Sequence, residues 1–278
     1  MRYGDLTVDV LSDGLVRFDG GAMFGVVPKA LWAPRCPPDR KNRIRMGLNC
    51  LLIRTGDKTI LVDNGIGSKE PPKIKKNFGM RAGRLLRDMK AHGVRPDEID
   101  LVVLTHLHWD HCGGSTRMTR FGEVVPTFPR AKYLVQRASW DAAHPPDERS
   151  AAGYHPDDFE PLHARGVLEL LDGDAEVYRG VTTKVTGGHA QGHQIVLLES
   201  GGRKLMFLGD LVPMHHHLPL PWIAAFELFP LDSMRWKHRL LEQAEREGWA
   251  IVFEHGYDVR AGVLERVGGR LQSRPVEL

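Results

Sequence analysis

A short histidine-rich segment carries four side chains that could bind a metal ion. His106, His108, Asp110 and His111 directly follow an apolar, β-branched run at 99–104. His106 and His108 are two residues apart, so an extended backbone places both imidazoles on the same side. Asp110 and His111 are adjacent and can point to different ions. Imidazole nitrogen and carboxylate oxygen together suit Zn²⁺, and also Mn²⁺, Fe²⁺ or Co²⁺.

Three later positions complete a candidate metal site. His189 follows Gly187-Gly188, and glycines let the backbone bend sharply to present the ring. Asp210 follows an apolar strand and a glycine, and its carboxylate can bridge two cations. His255 follows the last short apolar run. Residues at strand ends point into the crevice where α/β proteins place their sites.

Such a site predicts hydrolytic chemistry. Two cations about 3.5–4 Å apart can share a bridging water and lower its pKa from about 15.7 to about 7, which gives a bridging hydroxide nucleophile at neutral pH. Asp110 can bind a metal and also pass a proton to the departing alkoxide, which makes it the candidate catalytic residue. The chain has no Gly-x-Ser-x-Gly motif of a serine hydrolase.

The elements that must position these residues are predicted from apolar periodicity and turn residues. An edge hairpin is expected at 5–18. Strands are expected at 48–54, 59–63, 99–104, 181–185, 195–199, 204–208 and 250–253, and helices at 81–92 and 233–247.

Two irregular segments are expected near the active site. Residues 19–47 are rich in proline and read as a long loop, yet they hold apolar side chains that the core, a partner chain or a ligand must cover. Residues 137–166 are polar and read as a helical or looped insertion. No linker-like stretch divides residues 1–278, so a single domain is predicted.

The amino-acid composition indicates which partners and which cellular location to expect. The formal net charge is +3, too weak and dispersed to favour nucleic acid or an anionic membrane. The three cysteines form no Cys-x-x-Cys pair, so a disulfide framework is not expected. No apolar run reads as a signal peptide or a membrane span, and a cytoplasmic location is the expectation.

The order HxHxDH, Gly-His, Gly-Asp and a late histidine resembles the metallo-β-lactamase superfamily. The resemblance implies an α/β fold, the αββα sandwich of two facing mixed sheets flanked by helices. It implies two divalent metal ions, with zinc expected and Fe, Mn or Co as alternatives. His106, His108 and His189 would hold one ion, Asp110, His111 and His255 the other, and Asp210 would bridge them.

A narrower resemblance concerns residues 19–32 and the segment from Gly209 through Pro230. Both are similar to quorum-quenching N-acyl-homoserine lactone lactonases and to methyl-parathion-hydrolase-like enzymes. The resemblance implies a lactonase that acts on a small-molecule lactone or ester, and a homodimer. No further metal site is expected at the triple histidine 215–217. The candidate substrate-binding residues are Met23, Phe24, Trp109, His217 and Trp222.

Several alternatives stay open. Lactonases of this kind place a tyrosine shortly after the bridging aspartate, where this chain has Pro213 and Met214. The role of that tyrosine is therefore not transferred to this chain. A phosphotriesterase or arylesterase, which the resemblance to methyl-parathion-hydrolase-like enzymes implies, is the second hypothesis. An iron-dependent redox enzyme is the third, and the complete seven-residue ligand set disfavours its mononuclear form.

Overall fold

The computed structural model describes residues 1–278, and its framework is a pair of facing seven-stranded sheets. Its strands are β1 (Arg2–Tyr3), β2 (Leu6–Asp19), β3 (Arg43–Arg54), β4 (Thr59–Val62), β5 (Leu101–Val103), β6 (Thr116–Met118), β7 (Val124–Pro126), β8 (Lys132–Gln136), β9 (Leu168–Leu171), β10 (Ala175–Tyr178), β11 (Val181–Val185), β12 (Gln194–Ser200), β13 (Arg203–Phe207), β14 (Ala250–Val252), β15 (Ala261–Val267) and β16 (Arg270–Pro275).

The helices are short apart from the last one. They are α1 (Gly20–Phe24), α2 (Lys29–Trp32), α3 (Pro72–Asn77), α4 (Leu85–Ala91), α5 (Trp109–Cys112), α6 (Arg137–Ala142), α7 (Glu160–Ala164) and α8 (Pro230–Glu247). None of them combines the length and the apolarity that a membrane crossing requires.

Both sheets mix antiparallel and parallel pairs. The first has the order β1-β2-β3-β4-β5-β8-β9 and is parallel from β4 onwards. The second runs β10 to β16 in sequence, with one parallel pair, β13 and β14. Apolar side chains from both sheets, such as Val62 and Phe207, form the core between them. Helix α4 covers the outer face of the first sheet and α8 that of the second. The predicted αββα fold is confirmed.

The fold brings the ends of three strands to one edge. Strands β13 and β14 are parallel, so Asp210 and His255, which follow them, lie at the same edge of the second sheet. Strand β5 of the first sheet leads directly to His106. The edge where the two sheets meet therefore collects side chains from distant parts of the chain.

The predicted hairpin at 5–18 is wrong. Strand β2 is one continuous strand that pairs with β3 from Thr7 to Asp19. Asp13-Gly14, a dipeptide typical of hairpin turns, instead marks a register shift in the pairing. Gly14 has φ +125°, and a Cβ there would meet the Arg81 carbonyl oxygen at 1.9 Å. Only glycine allows this close approach.

The segment 19–47 is less irregular than predicted. It contains α1 and α2, and β3 already begins at Arg43 because its first residues pair with β2. The Asp19 carboxylate caps α1 by accepting a hydrogen bond from the Ala22 amide at 2.9 Å. Phe24 stacks on Trp32 with ring centroids 5.1 Å apart, and both side chains are buried.

Asp13 connects strand β2 to two other segments of the chain. Its buried carboxylate accepts hydrogen bonds from the backbone amides of Ile66, Gly67, Arg84 and Leu85. These amides belong to the turn after β4 and to the start of α4. Because buried amides without acceptors are costly, this one side chain fixes where α4 begins.

We expect Asp13→Ala to lower the free energy of unfolding by about 3 kcal/mol or more, since four amides would lose their acceptor. Urea denaturation measures the change. The exposed Asp5 provides a matched control, and Asp5→Ala should stay within about 0.5 kcal/mol of the parent. A loss below about 1 kcal/mol for Asp13→Ala would contradict this role.

Candidate metal centre

The seven predicted ligands converge at the shared edge of the two sheets. Their side chains form two groups around Asp210, whose two oxygens face different histidines. One group contains His106, His108 and His189. The other contains His111 and His255, with Asp110 beside it.

The first group is compact. His106 Nε2 lies 2.8 Å from His108 Nδ1, and His189 Nε2 lies 3.1 Å from the same atom. Asp210 Oδ2 is 3.2 Å from His189 Nε2. Two ligands of one Zn²⁺ at usual bond lengths lie about 3 to 3.5 Å apart, so these nitrogens have nearly the spacing of a shared ion.

The second group contacts both oxygens of Asp210. His255 Nε2 lies 3.1 Å from Asp210 Oδ1, and His111 Nε2 lies 3.3 Å from Asp210 Oδ2. The Asp110 carboxylate is somewhat further away, 3.8 Å from His111 Nε2 and 3.7 Å from His255 Nε2. Asp110 thus faces the same ring nitrogens as Asp210, as a ligand of the second ion would.

Glu254 also lies against this group, but on its outer side. Its carboxylate is 2.6 Å from His111 Nδ1, and Asp63 lies 3.1 Å from the same nitrogen. The inner nitrogen, Nε2, is left free. Because the partner of one ring nitrogen determines the role of the other, we interpret Glu254 and Asp63 as residues that orient His111.

The buried polar atoms of the centre fit a pair of cations. His111 Nε2, His255 Nε2 and Asp210 Oδ1 are buried and have no hydrogen-bond partner. Unpaired buried polar atoms are costly, and each of these three would be satisfied as a metal ligand. Nitrogen and carboxylate oxygen in this ratio are a donor set suited to Zn²⁺ and similar dications.

Electrostatics distinguishes His106 from His255. Burial lowers the pKa of His106 well below its usual value, and the neighbouring His111 and His108 lower it further. Burial would also lower the pKa of His255, but the charges of Asp210, Glu254 and Asp110 outweigh it and raise the pKa to about 9. The carboxylates around the second group therefore favour positive charge there.

The segment that presents His189 is fixed by backbone and side chain together. A Cβ on Gly188 would meet Ser233 Oγ at 2.3 Å, so this turn packs directly against the start of α8. His189 Nδ1 lies 2.9 Å from Glu227 Oε1, and Ser233 donates a hydrogen bond to the other oxygen of Glu227. His189 is therefore held from behind by a buried carboxylate.

Sequence reasoning did not identify Asp63, Glu227 or Glu254. Asp63 follows β4 directly, so the strand-end pattern that indicated the ligands was present there too. Glu254 precedes a ligand, which was a weaker signal. Glu227 lies in an irregular segment between α8 and the triple histidine, and nothing in its sequence context indicates its contact with His189.

A cavity of about 240 Å³ opens onto the two groups, and His108, Asp110, Asp210 and His255 reach its wall. Four residues of the predicted insertion form part of its rim: Arg149, Ser150, Ala152 and Gly153. The apolar lining consists of Phe18, Met23, Met46, Phe78, Trp109, Phe226 and Leu228 together with Ala152.

The five predicted substrate-binding residues fall into two sets in the structure. Met23 and Trp109 line the cavity. Phe24, His217 and Trp222 do not, because they pack behind Met23: Phe24 stacks on His217 at 4.8 Å, and His217 Nε2 lies 2.8 Å from the Met23 carbonyl oxygen. These three side chains support the cavity wall and do not form its surface.

Comparison with known proteins identifies the family of this chain. Residues 45–255, which include all seven candidate ligands, match the metallo-beta-lactamase superfamily. The chain belongs to this superfamily.

Relatives within the superfamily include named lactonases. The N-acyl homoserine lactonase AttM of Azorhizobium caulinodans is 31% identical over 180 residues, which are 61% of this chain. That match spans only 63% of the relative's length. An N-acyl homoserine lactonase of Bacillus cereus is 26% identical over 257 residues and matches 83% of this chain and 93% of the relative.

Solved structures agree on the fold. A probable metal-dependent hydrolase from Staphylococcus aureus superposes with a TM-score of 0.91 at 29% identity, over the whole of both chains. AidC, a dizinc quorum-quenching lactonase, superposes with a TM-score of 0.81 at 20% identity, over 100% of this chain and 97% of its own.

We expect Glu227→Gln to weaken metal binding by about 10- to 100-fold, because the amide orients His189 less firmly and makes its ring less basic. Competition with a chromophoric chelator measures the affinity. Glu242, an exposed residue of α8, gives a matched control, and Glu242→Gln should bind metal like the parent. Unchanged affinity in Glu227→Gln would remove this role.

Proposed function

We propose that this chain is a binuclear metal-dependent hydrolase that opens N-acyl-homoserine lactones. The supporting observation is the shared carboxylate of Asp210 between two groups of imidazoles, at the base of a mostly apolar cavity. A polar reaction centre below an apolar wall suits a substrate with one reactive carbonyl and a hydrocarbon tail. The AttM and Bacillus cereus relatives, both named as lactonases, support this choice of substrate.

His106, His108 and His189 would hold one cation, His111, His255 and Asp110 the other, and Asp210 both. Bound divalent cations, for which we propose zinc, would supply Lewis acidity and lower the pKa of water. The chain itself supplies fixed ligands with few alternative conformations, because His111 and His189 are held from behind by Glu254 and Glu227. Preorganised charge of this kind is a major source of rate enhancement.

Asp110 is the side chain best placed to handle the proton. Its carboxylate lines the cavity and is partly exposed, at 16% of its full accessibility. It therefore contacts both the second group of histidines and the space where a leaving group would lie. Since a lactone expels a basic alkoxide, proton donation from this position would ease ring opening.

The cavity wall would hold the acyl tail. Phe18, Phe78 and Phe226 provide an apolar surface together with Met23. Arg149 stands at the rim, and its guanidinium donates hydrogen bonds to the carbonyls of Ala225 and Glu227. The apolar surface gives binding energy without polar specificity, about 25 cal/mol for each Å² that is buried.

The same aromatic lining favours a second candidate. Phe18, Phe78, Trp109 and Phe226 could also pack against an aromatic leaving group, as in an aryl ester or an aryl phosphotriester. These substrates expel a good leaving group and depend less on a proton donor. The comparison between the two substrate classes therefore tests the proposal directly.

If lactones are the substrates, kcat/KM for long-chain N-acyl-homoserine lactones should exceed that for paraoxon-type esters by about a hundredfold, roughly 2.7 kcal/mol. Shortening the acyl tail should lower kcat/KM, by at most about 0.8 kcal/mol for each buried CH₂ lost. Steady-state kinetics on one metal-quantified preparation measures both.

Phe226→Ala should flatten this chain-length dependence, because it removes part of the wall that holds the tail. The matched control is Phe121→Ala, since Phe121 is 82% exposed and lies outside the cavity. A preference for the phosphotriester would overturn the lactonase proposal in favour of the second candidate. A flat dependence on chain length in the parent enzyme would do the same.

We further propose that the enzyme is a homodimer that works in the reducing cytoplasm. The exposed apolar side chains of Val26 and Leu31, 86% and 57% accessible, support a contact through the segment 19–47. Three free, buried cysteines support the location.

Sedimentation velocity should show a dimer at micromolar concentration, and the pair Val26→Asp and Leu31→Asp should shift it towards monomer because charge opposes burial of this surface. A parent protein that is monomeric throughout this range would rule out the dimer.

A further inference from the structure

Two histidines and an aspartate come together away from the metal centre. His215 and His216 belong to a single 3₁₀ turn, His215–His217, and Asp258 follows β14. His215 Nδ1 lies 3.8 Å from Asp258 Oδ1, and His216 Nε2 lies 3.9 Å from Asp258 Oδ2. All three ligand atoms lie within 4.8 Å of one another.

These contacts are not hydrogen bonds. At 3.8 and 3.9 Å they exceed the range in which a nitrogen donates to an oxygen. His215 Nδ1 is buried and has no hydrogen-bond partner of any kind. Its ring is packed against that of His216, with centroids 3.8 Å apart, and against Phe253 at 6.4 Å. The ring is thus held with an unsatisfied nitrogen towards the carboxylate.

The imidazoles of His215 and His216 bind a proton weakly. Burial lowers the pKa of His215, and burial together with the neighbouring His215 lowers the pKa of His216 to about 4. Both imidazoles are therefore neutral near pH 7, which is the form that binds metal ions. The nearby Arg35 also disfavours a proton on His216.

We propose that His215, His216 and Asp258 form a peripheral binding site for one transition-metal dication of the Zn²⁺ type. Two imidazole nitrogens and one carboxylate oxygen are three of the four ligands that tetrahedral Zn²⁺ takes. Histidines 215 and 216 also line a separate surface cavity of about 850 Å³, which gives access to the ion and to a water as the fourth ligand. This proposal departs from the expectation from sequence that the triple histidine binds no metal.

The position of this site gives it a structural role. Its ligands lie on the two segments that leave the metal centre, one after Asp210 and the other after His255. The His255 amide already donates a hydrogen bond to the Pro213 carbonyl oxygen at 2.9 Å between these segments. A cation held by His215, His216 and Asp258 would add a second cross-link, so its occupancy stabilises the pair.

Metal analysis after equilibrium dialysis tests the proposal. Holoprotein with a loaded centre is dialysed against a series of free Zn²⁺ concentrations up to about 100 µM, and bound zinc per chain is measured. We expect the parent to bind one zinc more than Asp258→Asn or His216→Gln. Asp258 is exposed, so its variant should fold normally. The matched control is His238→Gln, which removes an exposed histidine of α8 and should keep the parent's zinc content.

A second readout is thermal stability. Added Zn²⁺ should raise the Tm of the loaded parent and of His238→Gln but not that of Asp258→Asn, because only a site present in the folded state stabilises it. Equal zinc content in the parent and both site variants would overturn the proposal, as would loss of the extra zinc in His238→Gln. Neither result depends on which substrate the enzyme hydrolyses, so a failed lactonase assay leaves this test intact.

Discussion

The structure depends on one buried carboxylate between two sets of imidazoles. Asp210 places an oxygen near His189 on one side and near His255 on the other, while burial removes all of these groups from water. Burial would raise the pKa of Asp210, but the charges of His111, His255 and His189 hold it well below its usual value. A charge buried in this way must be compensated, and the surrounding strand ends are arranged to do so.

Carboxylates and one backbone carbonyl also contact the ligand histidines on the side that faces away from the centre. Behind His111 lie Glu254 and Asp63, behind His189 lies Glu227, and behind His255 lies the Gly47 carbonyl oxygen at 2.9 Å. Each partner holds the nitrogen that faces away from the centre. The result is a site whose rings are fixed before any ion arrives, and this is possible because the ligands follow strands that pack into a common core.

The sequence allowed the αββα fold and the candidate ligands to be predicted because short-range spacing reports on both. Four candidate ligand side chains within 106–111 indicate a site, and apolar runs before Asp210 and His255 indicate the strands that present it. Contacts between residues that are far apart in the sequence do not produce such a short-range pattern. Asp13-Gly14 has the composition of a turn, yet Asp13 serves as an acceptor for two other segments. Phe24 and Trp222 look like pocket residues, but packing places them behind the wall.

The segment around Glu227 has a consequence for how this enzyme can evolve. Glu227 holds His189, while its two neighbours in sequence, Phe226 and Leu228, form the wall of the cavity. A substitution that reshapes the wall for a bulkier substrate also moves the backbone on which the metal support depends. Changes of specificity at Phe226 or Leu228 are thus coupled to metal retention. Phe18 and Phe78 line the same cavity from β2 and from the residue after α3, and neither is next in sequence to a carboxylate that holds a metal ligand. Adaptive substitutions should therefore favour Phe18 or Phe78.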